Sequence, residues 1–286
     1  MTREPREPSS LLESILDMSR GARDISSIAA VSALLTLPTL GHTTWHPSPL
    51  PFGPGERITY HVNAKGMGSI GTATMTVEGP VDVRGTPTFL LRSRTTAGFG
   101  PFKGSQLSES WFDPVAIRSL RFHERERRLF ATHSVRVEIF PDDDAWMNAD
   151  GDSGVSPTNA SLDELSFIYF LRTLPLATDT VYQLNRHFDA KQNPVTIRIT
   201  RGDSIRTDLG VFNTVLMEMR VRDPHRYHGE GVIRVYLSDD KCRIPVRIAS
   251  DIPGVGSFVL TLESYTYPAS PCDFTRRLST SPARSN

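Results

Sequence analysis

The chain reads as a mainly β protein: a large curved antiparallel sheet of about a dozen strands, with one amphipathic helix packed on its concave face. Two observations predict this. From Arg57 to Tyr267, apolar and polar residues alternate in short runs separated by Gly, Asp, Asn or Pro. One segment alone, residues 161–174, switches to helical spacing. Strict alternation marks a strand with one buried and one solvated face, the antiparallel habit. No strand–helix alternation occurs, so a doubly wound nucleotide-binding sheet is not expected.

The clearest strands come first. Ala73, Met75 and Val77 alternate with Thr72, Thr74 and Thr76. Val135, Val137 and Ile139 do so with Ser134, Arg136 and Glu138, and Val195, Ile197 and Ile199 with Thr196, Arg198 and Thr200. In SLDELSFIYFLRTL, Ser161 and Glu164 have capping-box spacing, and Leu162, Leu165, Ile168, Tyr169 and Leu171 recur at helical intervals. Pro175 closes the run. A lone helix in a β domain must bury its stripe against the sheet. Leu165, Ile168, Tyr169 and Arg172 are therefore the candidate ligand-binding residues, should a cleft lie beneath it. Arg172, in the last turn beside Phe170 and Leu171, has two readings: a buried ion pair, or a head group in solvent near the helix C-terminus.

The remaining layout is read from composition. ISSIAAVSALLTLPTLG, residues 25–41, follows Arg20 and Arg23 as an apolar segment follows a positive leader region. A membrane anchor or a buried helix are its alternatives. Residues 1–41 thus form an N-terminal extension, 42–56 a proline-rich linker, 57–267 one antiparallel β domain, and 268–286 a disordered tail. The two cysteines, Cys242 and Cys272, fit an exported domain and are a candidate disulfide, whose closure would add about 3 kcal/mol. Lys plus Arg and Asp plus Glu both total 32, so the net charge is zero. Neutrality gives no electrostatic reason to expect nucleic acid or an anionic membrane as partner, and membrane association is expected only through an uncleaved N-terminal segment.

Several motifs dissolve on inspection. GMGSIG at 66–71 matches a dinucleotide fingerprint but runs into the strand TATMTV, where hairpin glycines are the better reading. HERER at 123–127 lacks the second histidine of a zinc protease site. RGDS at 201–204 reads as turn residues rather than an adhesion signal. Asn159-Ala160-Ser161 is a formal sequon that helix capping explains. No metal site and no cofactor are implied, and no catalytic residue stands out. Two polar clusters, His187 with Asp189 and His225 with His228 beside Glu230, are the only candidates for hydrolytic chemistry.

Asp239 and Asp240 in YLSDDKCRIPVRI look reactive, yet Ile233, Val235 and Leu237 precede them on one strand face. Cys242, Ile244, Val246 and Ile248 follow on another. The acids fall at a hairpin tip, and Pro245 marks an edge strand or a bulge.

The order of these motifs resembles the bacterial family known as domain of unknown function 3108. Gly55-Glu56-Arg57-Ile58-Thr59-Tyr60 is similar to its opening segment, and Ser166, Tyr169 and Arg172 to its helix. Leu237-Ser238-Asp239-Asp240 before Arg243-Ile244-Pro245-Val246 is similar to its turn. The resemblance covers about residues 52–267 and implies an exported, periplasmic or envelope-associated protein of antiparallel β structure, similar to lipoprotein-carrier and lipocalin-like half-barrels. It implies no activity. Cys242 inside the turn and the long N-terminal extension depart from the pattern. The expected role is a non-enzymatic binding protein for a lipid, another apolar ligand or an envelope component. An envelope hydrolase and a scaffold that pairs through sheet edges are the alternatives.

Overall fold

The computed structural model describes residues 50–64, 67–99, 102–128, 131–222, 230–252 and 256–269. The apolar run 25–41, the His225–His228 loop, Cys272 and the tail from 270 onward lie outside these residues. Among the described residues, sixteen strands and one α-helix follow one another. They are β1 (Arg57–Ala64), β2 (Gly68–Val83), β3 (Thr86–Phe99), β4 (Phe102–Asp113), β5 (Arg118–Arg128) and β6 (Ala131–Phe140). The short β7 (Ala145–Asn148) and β8 (Ser153–Val155) precede α1 (Glu164–Leu171). Then come β9 (Thr180–Leu184), β10 (Val195–Arg201), β11 (Ile205–Thr207), β12 (Gly210–Phe212), β13 (Thr214–Arg222), β14 (Glu230–Ser238), β15 (Pro245–Ile252) and β16 (Gly256–Thr266).

Fourteen strands make one antiparallel sheet in the order β8-β7-β6-β5-β4-β3-β2-β1-β16-β15-β14-β13-β10-β9, and β11 with β12 form a separate hairpin. Register explains the core. Tyr60 lies opposite Ala73 and Leu262, and Val62 opposite Leu260, so one residue in two along each strand shares the inner face. Those residues are the buried ones: Ile58, Tyr60, Val62, Ala73, Met75, Val77, Leu91, Val235 and Leu262 among them. Burying each large apolar side chain contributes about 1.5–3 kcal/mol, which is why register is fixed so firmly.

The helix sits on this inner face and is more enclosed than a one-sided stripe requires: every residue from Leu165 to Leu171 is buried. It is also shorter than the 161–174 expected from periodicity. Asp163, not Ser161, is the N-cap, and Ser166, not Glu164, completes the capping box. Leu162 is excluded from the helix because its backbone is already used in a single parallel bridge to His187. That bridge helps enclose the helix. Ser119 N–H at the start of β5 donates to Ser161 O (2.8 Å), Leu162 N–H to Arg186 O (2.6 Å), and Phe188 N–H to Leu162 O (3.0 Å). Trp146 of β7 meets Phe188 edge-on at 5.5 Å between ring centroids. The β5–β7 side of the sheet is thus tied to the segment that follows β9, although edge strands β8 and β9 are not paired with each other.

The described part of the proline-rich segment is no linker. Phe52 is buried, with its ring 4.9 Å from Tyr169 and 6.0 Å from Phe112, and Glu56 is buried too. Composition signalled an extended chain, but Glu56 N–H donates to Gly53 O (3.1 Å) in a turn with Gly55 at φ 94°, and the segment lies against the core. Pro245 opens β15 between β14 and β16, opposite a register shift at Tyr236/Leu237, so the bulge reading accounts for it and the edge reading does not. Gly68 begins β2, and Gly71 lies where an added Cβ would stand 2.0 Å from Thr96 O of β3. Close strand approach therefore explains that glycine.

Candidate functional site

The residues that carry the sequence motifs meet at the C-terminal end of α1. Ser166, Tyr169 and Arg172 recur every three residues and so lie along one side of the helix. The first binds the cap, the second meets the Phe52 ring edge-on, and the third enters the core. Arg172 is fully buried and makes a two-pronged ion pair with Glu56, Nη1 to Oε2 at 2.8 Å and Nη2 to Oε1 at 2.8 Å. Its Nε donates to Arg243 O (3.0 Å), and Nη2 also donates to Pro51 O (3.0 Å) and Cys242 O (3.3 Å). The guanidinium lies 5.1 Å from the Phe52 ring centroid and 5.7 Å from that of Tyr169. Burial pulls Arg172 down, but the charge and hydrogen bonds of Glu56 outweigh it and hold the guanidinium above its ordinary range.

The β14–β15 turn is shaped to supply those carbonyls. Asp240 Oδ1 accepts from Ser238 Oγ (2.8 Å), Cys242 N–H (3.0 Å) and Arg243 N–H (3.2 Å), while Ser238 Oγ accepts from Ile244 N–H (2.8 Å). Arg243, held in the left-handed region at φ 48°, sends its guanidinium back to Arg172 O (3.0 Å) and Leu174 O (2.6 Å) just past the helix. Tyr60 donates to Pro245 O (2.9 Å). Three motifs far apart in the chain are thus one junction joining β1, α1 and the β14–β15 turn. Cys242 is buried there and disulfide-bonded, while Cys272, the partner expected for it, lies outside the described residues.

The other end of α1 is anchored by a second buried acid. Asp163 accepts from Leu165 N–H and Ser166 N–H (both 2.9 Å) and from Ser110 Oγ (2.5 Å). Burial raises its carboxyl to about 6, with the hydrogen bonds from Ser110 and Ser166 opposing. A folded value above the unfolded one favours the protonated form. The stabilisation is therefore complete below pH ~4 and lost as pH rises through about 6. The full swing is about 3 kcal/mol. Asp163→Asn keeps the acceptor for both N–H groups and removes the charge. Its stability relative to the wild type, measured by urea unfolding, is expected to improve by about 2–3 kcal/mol between pH 4 and pH 7.5. A difference that stays flat with pH would contradict this account.

The four helix candidates are all buried: Tyr169 and Arg172 at 1% and 0% exposure, Leu165 and Ile168 at 6% and 9%. Among the described residues the buried Tyr169 Oη has no hydrogen-bond partner, and burial holds that phenol well above its ordinary range. Beyond the helix the inner face stays apolar but is less covered. Ile233 of β14, Ile248 of β15, Leu260 of β16, Val221 of β13 and Tyr182 of β9 are only partly buried.

His187 and Asp189 are close in space but not arranged as an acid–base pair. Imidazole Nδ1 accepts from Asp189 N–H (3.1 Å), and the Asp189 carboxylate caps a 3-10 turn through Lys191 N–H (3.0 Å). His187 Nε2 faces Glu164 Oε1 at 3.7 Å, with the ring stacked against Phe167. In HERER, His123 rests against Trp111, and Glu124 accepts from Gln106 and Ser108. Sequence reasoning missed Glu56 as the partner of Arg172. The available signal was a lone carboxylate one residue ahead of an alternating strand.

An open antiparallel sheet, curled around a helix that a buried ion pair anchors, defines a β half-barrel. The chain belongs to the family described as protein of unknown function DUF3108, whose model matches residues 57–263. Among solved structures it is similar to a β-barrel-like protein of the DUF1849 domain of unknown function from Brucella abortus. That match has 11% identity and a TM-score of 0.52, covering 74% of this chain and 98% of that one. A DUF1089 family protein from Pseudomonas aeruginosa matches at 10% identity, covering 58% and 84%, with a TM-score of 0.29 that carries no argument about fold. No curated protein matches.

Proposed function

We propose that the protein is an exported, envelope-associated binding protein that holds an apolar ligand on the inner face of its sheet. One observation carries the reading. The inner face carries a partly exposed apolar row, Ile248 opposite Leu260, with Ile233, Val221 and Tyr182 also partly buried on that face. A folded domain that leaves such a row incompletely covered has apolar area available to a ligand. Leu165 and Ile168 would form the floor of the site. The unpartnered hydroxyl of Tyr169 is the polar group a ligand could satisfy if the helix shifts, while Arg172 holds the helix in place.

The test is native mass spectrometry, with organic extraction, of protein purified from its own envelope fraction. A co-purifying apolar molecule is expected. The double substitution Ile248→Gln/Leu260→Gln is expected to abolish its retention at a stability cost of about 1–3 kcal/mol, since both positions are only partly buried. Repeated recovery of ligand-free wild-type protein would overturn the proposal. So would unchanged retention by the double variant.

A further inference from the structure

The whole chain is neutral, and that balance conceals a local imbalance. The outer face of β3–β6 has two zones. Nearer the helix, Arg84, Arg92 and Arg121 are matched by Glu78, Glu109 and Glu138. Toward the β3–β4 and β5–β6 turns the acids stop and the bases continue. Register places Arg94 opposite Leu107, which is opposite Arg125, while Ser105 lies opposite Arg127, His123 opposite Arg136, and Lys103 opposite Gly98. Alternation from the buried Leu91, Ser108, Phe122 and Val137 puts Arg94, Lys103, Arg125, Arg127 and Arg136 on the outer face, and all five are exposed.

Among the described residues, none of the five has a carboxylate at ion-pairing distance. Strands lie about 4.8 Å apart and same-face residues about 6.8 Å apart along a strand, so these cations crowd a small, nearly rigid area. Their mutual repulsion is unfavourable and calls for an anionic partner. The adjoining β1–β2 turn adds a second feature, Met67 at 55% exposure. Gly71 opposite Ala97 makes the β1–β2 and β3–β4 hairpins neighbours. A cluster of cations beside an exposed apolar side chain matches a bilayer surface, where basic groups meet phosphates and apolar groups enter the interface. Nucleic acid would favour exposed stacking rings on this face, but Trp111 is already occupied by His123 and Arg121.

We propose that the outer face of β3–β6, with Met67 of the β1–β2 turn, docks on an anionic lipid surface. This is a contact separate from the N-terminal segment, and it does not depend on the inner-face ligand. The test is co-sedimentation of the full chain with vesicles of phosphatidylcholine alone or with one third phosphatidylglycerol, at low and high salt. Because the run 25–41 is present throughout, the readout is the difference between the wild type and Arg94→Gln/Arg125→Gln/Arg127→Gln. Each basic group near an anionic bilayer raises partitioning about fivefold, so the triple variant is expected to bind phosphatidylglycerol vesicles about 100-fold more weakly at low salt. High salt should abolish the difference. A second variant, Lys103→Gln/Arg136→Gln, is expected to lose about 25-fold, and unfolding midpoints establish that both variants fold. Equal binding by wild type and variants, equal binding to neutral vesicles, or a charge-dependent shift of a single-stranded oligonucleotide without vesicle binding would each overturn the proposal.

Discussion

Arg172→Ala is expected to destabilise the protein by about 3–5 kcal/mol, because it leaves the Glu56 carboxylate buried and uncompensated. Pro51 O, Arg243 O and Cys242 O would each lose a donor as well, and Tyr265 Oη, which donates to Glu56 Oε1 at 3.3 Å, brings no positive charge to replace the guanidinium. Arg172→Lys retains charge but cannot span both carboxylate oxygens while reaching Arg243 O, so a loss of about 1–3 kcal/mol is expected. Removing both charges with Glu56→Leu/Arg172→Met should cost far less than the sum of the single substitutions. Urea unfolding of the four proteins closes the cycle. Near-additive losses would show that the two side chains act independently and would defeat this account.

The legibility of this fold in the sequence divides along physical lines. Alternation in β2, β6 and β10 was readable because a side-chain period of two is a local property, and antiparallel pairing needs only short turns. The edges of the helix were misread because Ser161 and Glu164 have capping spacing, whereas the true cap, Asp163, is chosen by long-range bonds to Ser110 and by the Leu162–His187 bridge. The Arg172 partner lies 116 residues away, and periodicity carries no information about such a separation. Family resemblance did bring Glu56, Tyr169, Arg172 and the Ser238–Asp240 turn together as a set, and the structure supplies the reason they form a set: Glu56 and the carbonyls that follow the turn satisfy the Arg172 guanidinium, and the Tyr169 ring packs beside it. The outer-face cations were invisible for a different reason. Their counts balance over the chain, and only register separates them from the acids.

The second large effect is expected at the start of the domain. Phe52→Ala should cost about 3–5 kcal/mol, the range for truncating a fully packed aromatic, because its ring supports Tyr169, Phe112 and the Arg172 guanidinium together. A stronger form of the same argument uses the boundary of the family match, which begins at Arg57. A chain cut there loses Phe52, the Pro51 carbonyl and Glu56 at once, leaving Arg172 buried without its carboxylate. A chain beginning at Pro47 keeps all three. Near-UV circular dichroism and urea unfolding should show a native, cooperative transition for the longer chain. The shorter one should lack fixed tertiary packing or lose most of its stability, since 5–15 kcal/mol is the whole margin of a typical domain. Equal midpoints would mean that residues 50–56 are the spacer their proline content suggests. The geometry makes them the first part of the core, placed against the helix before β1 begins.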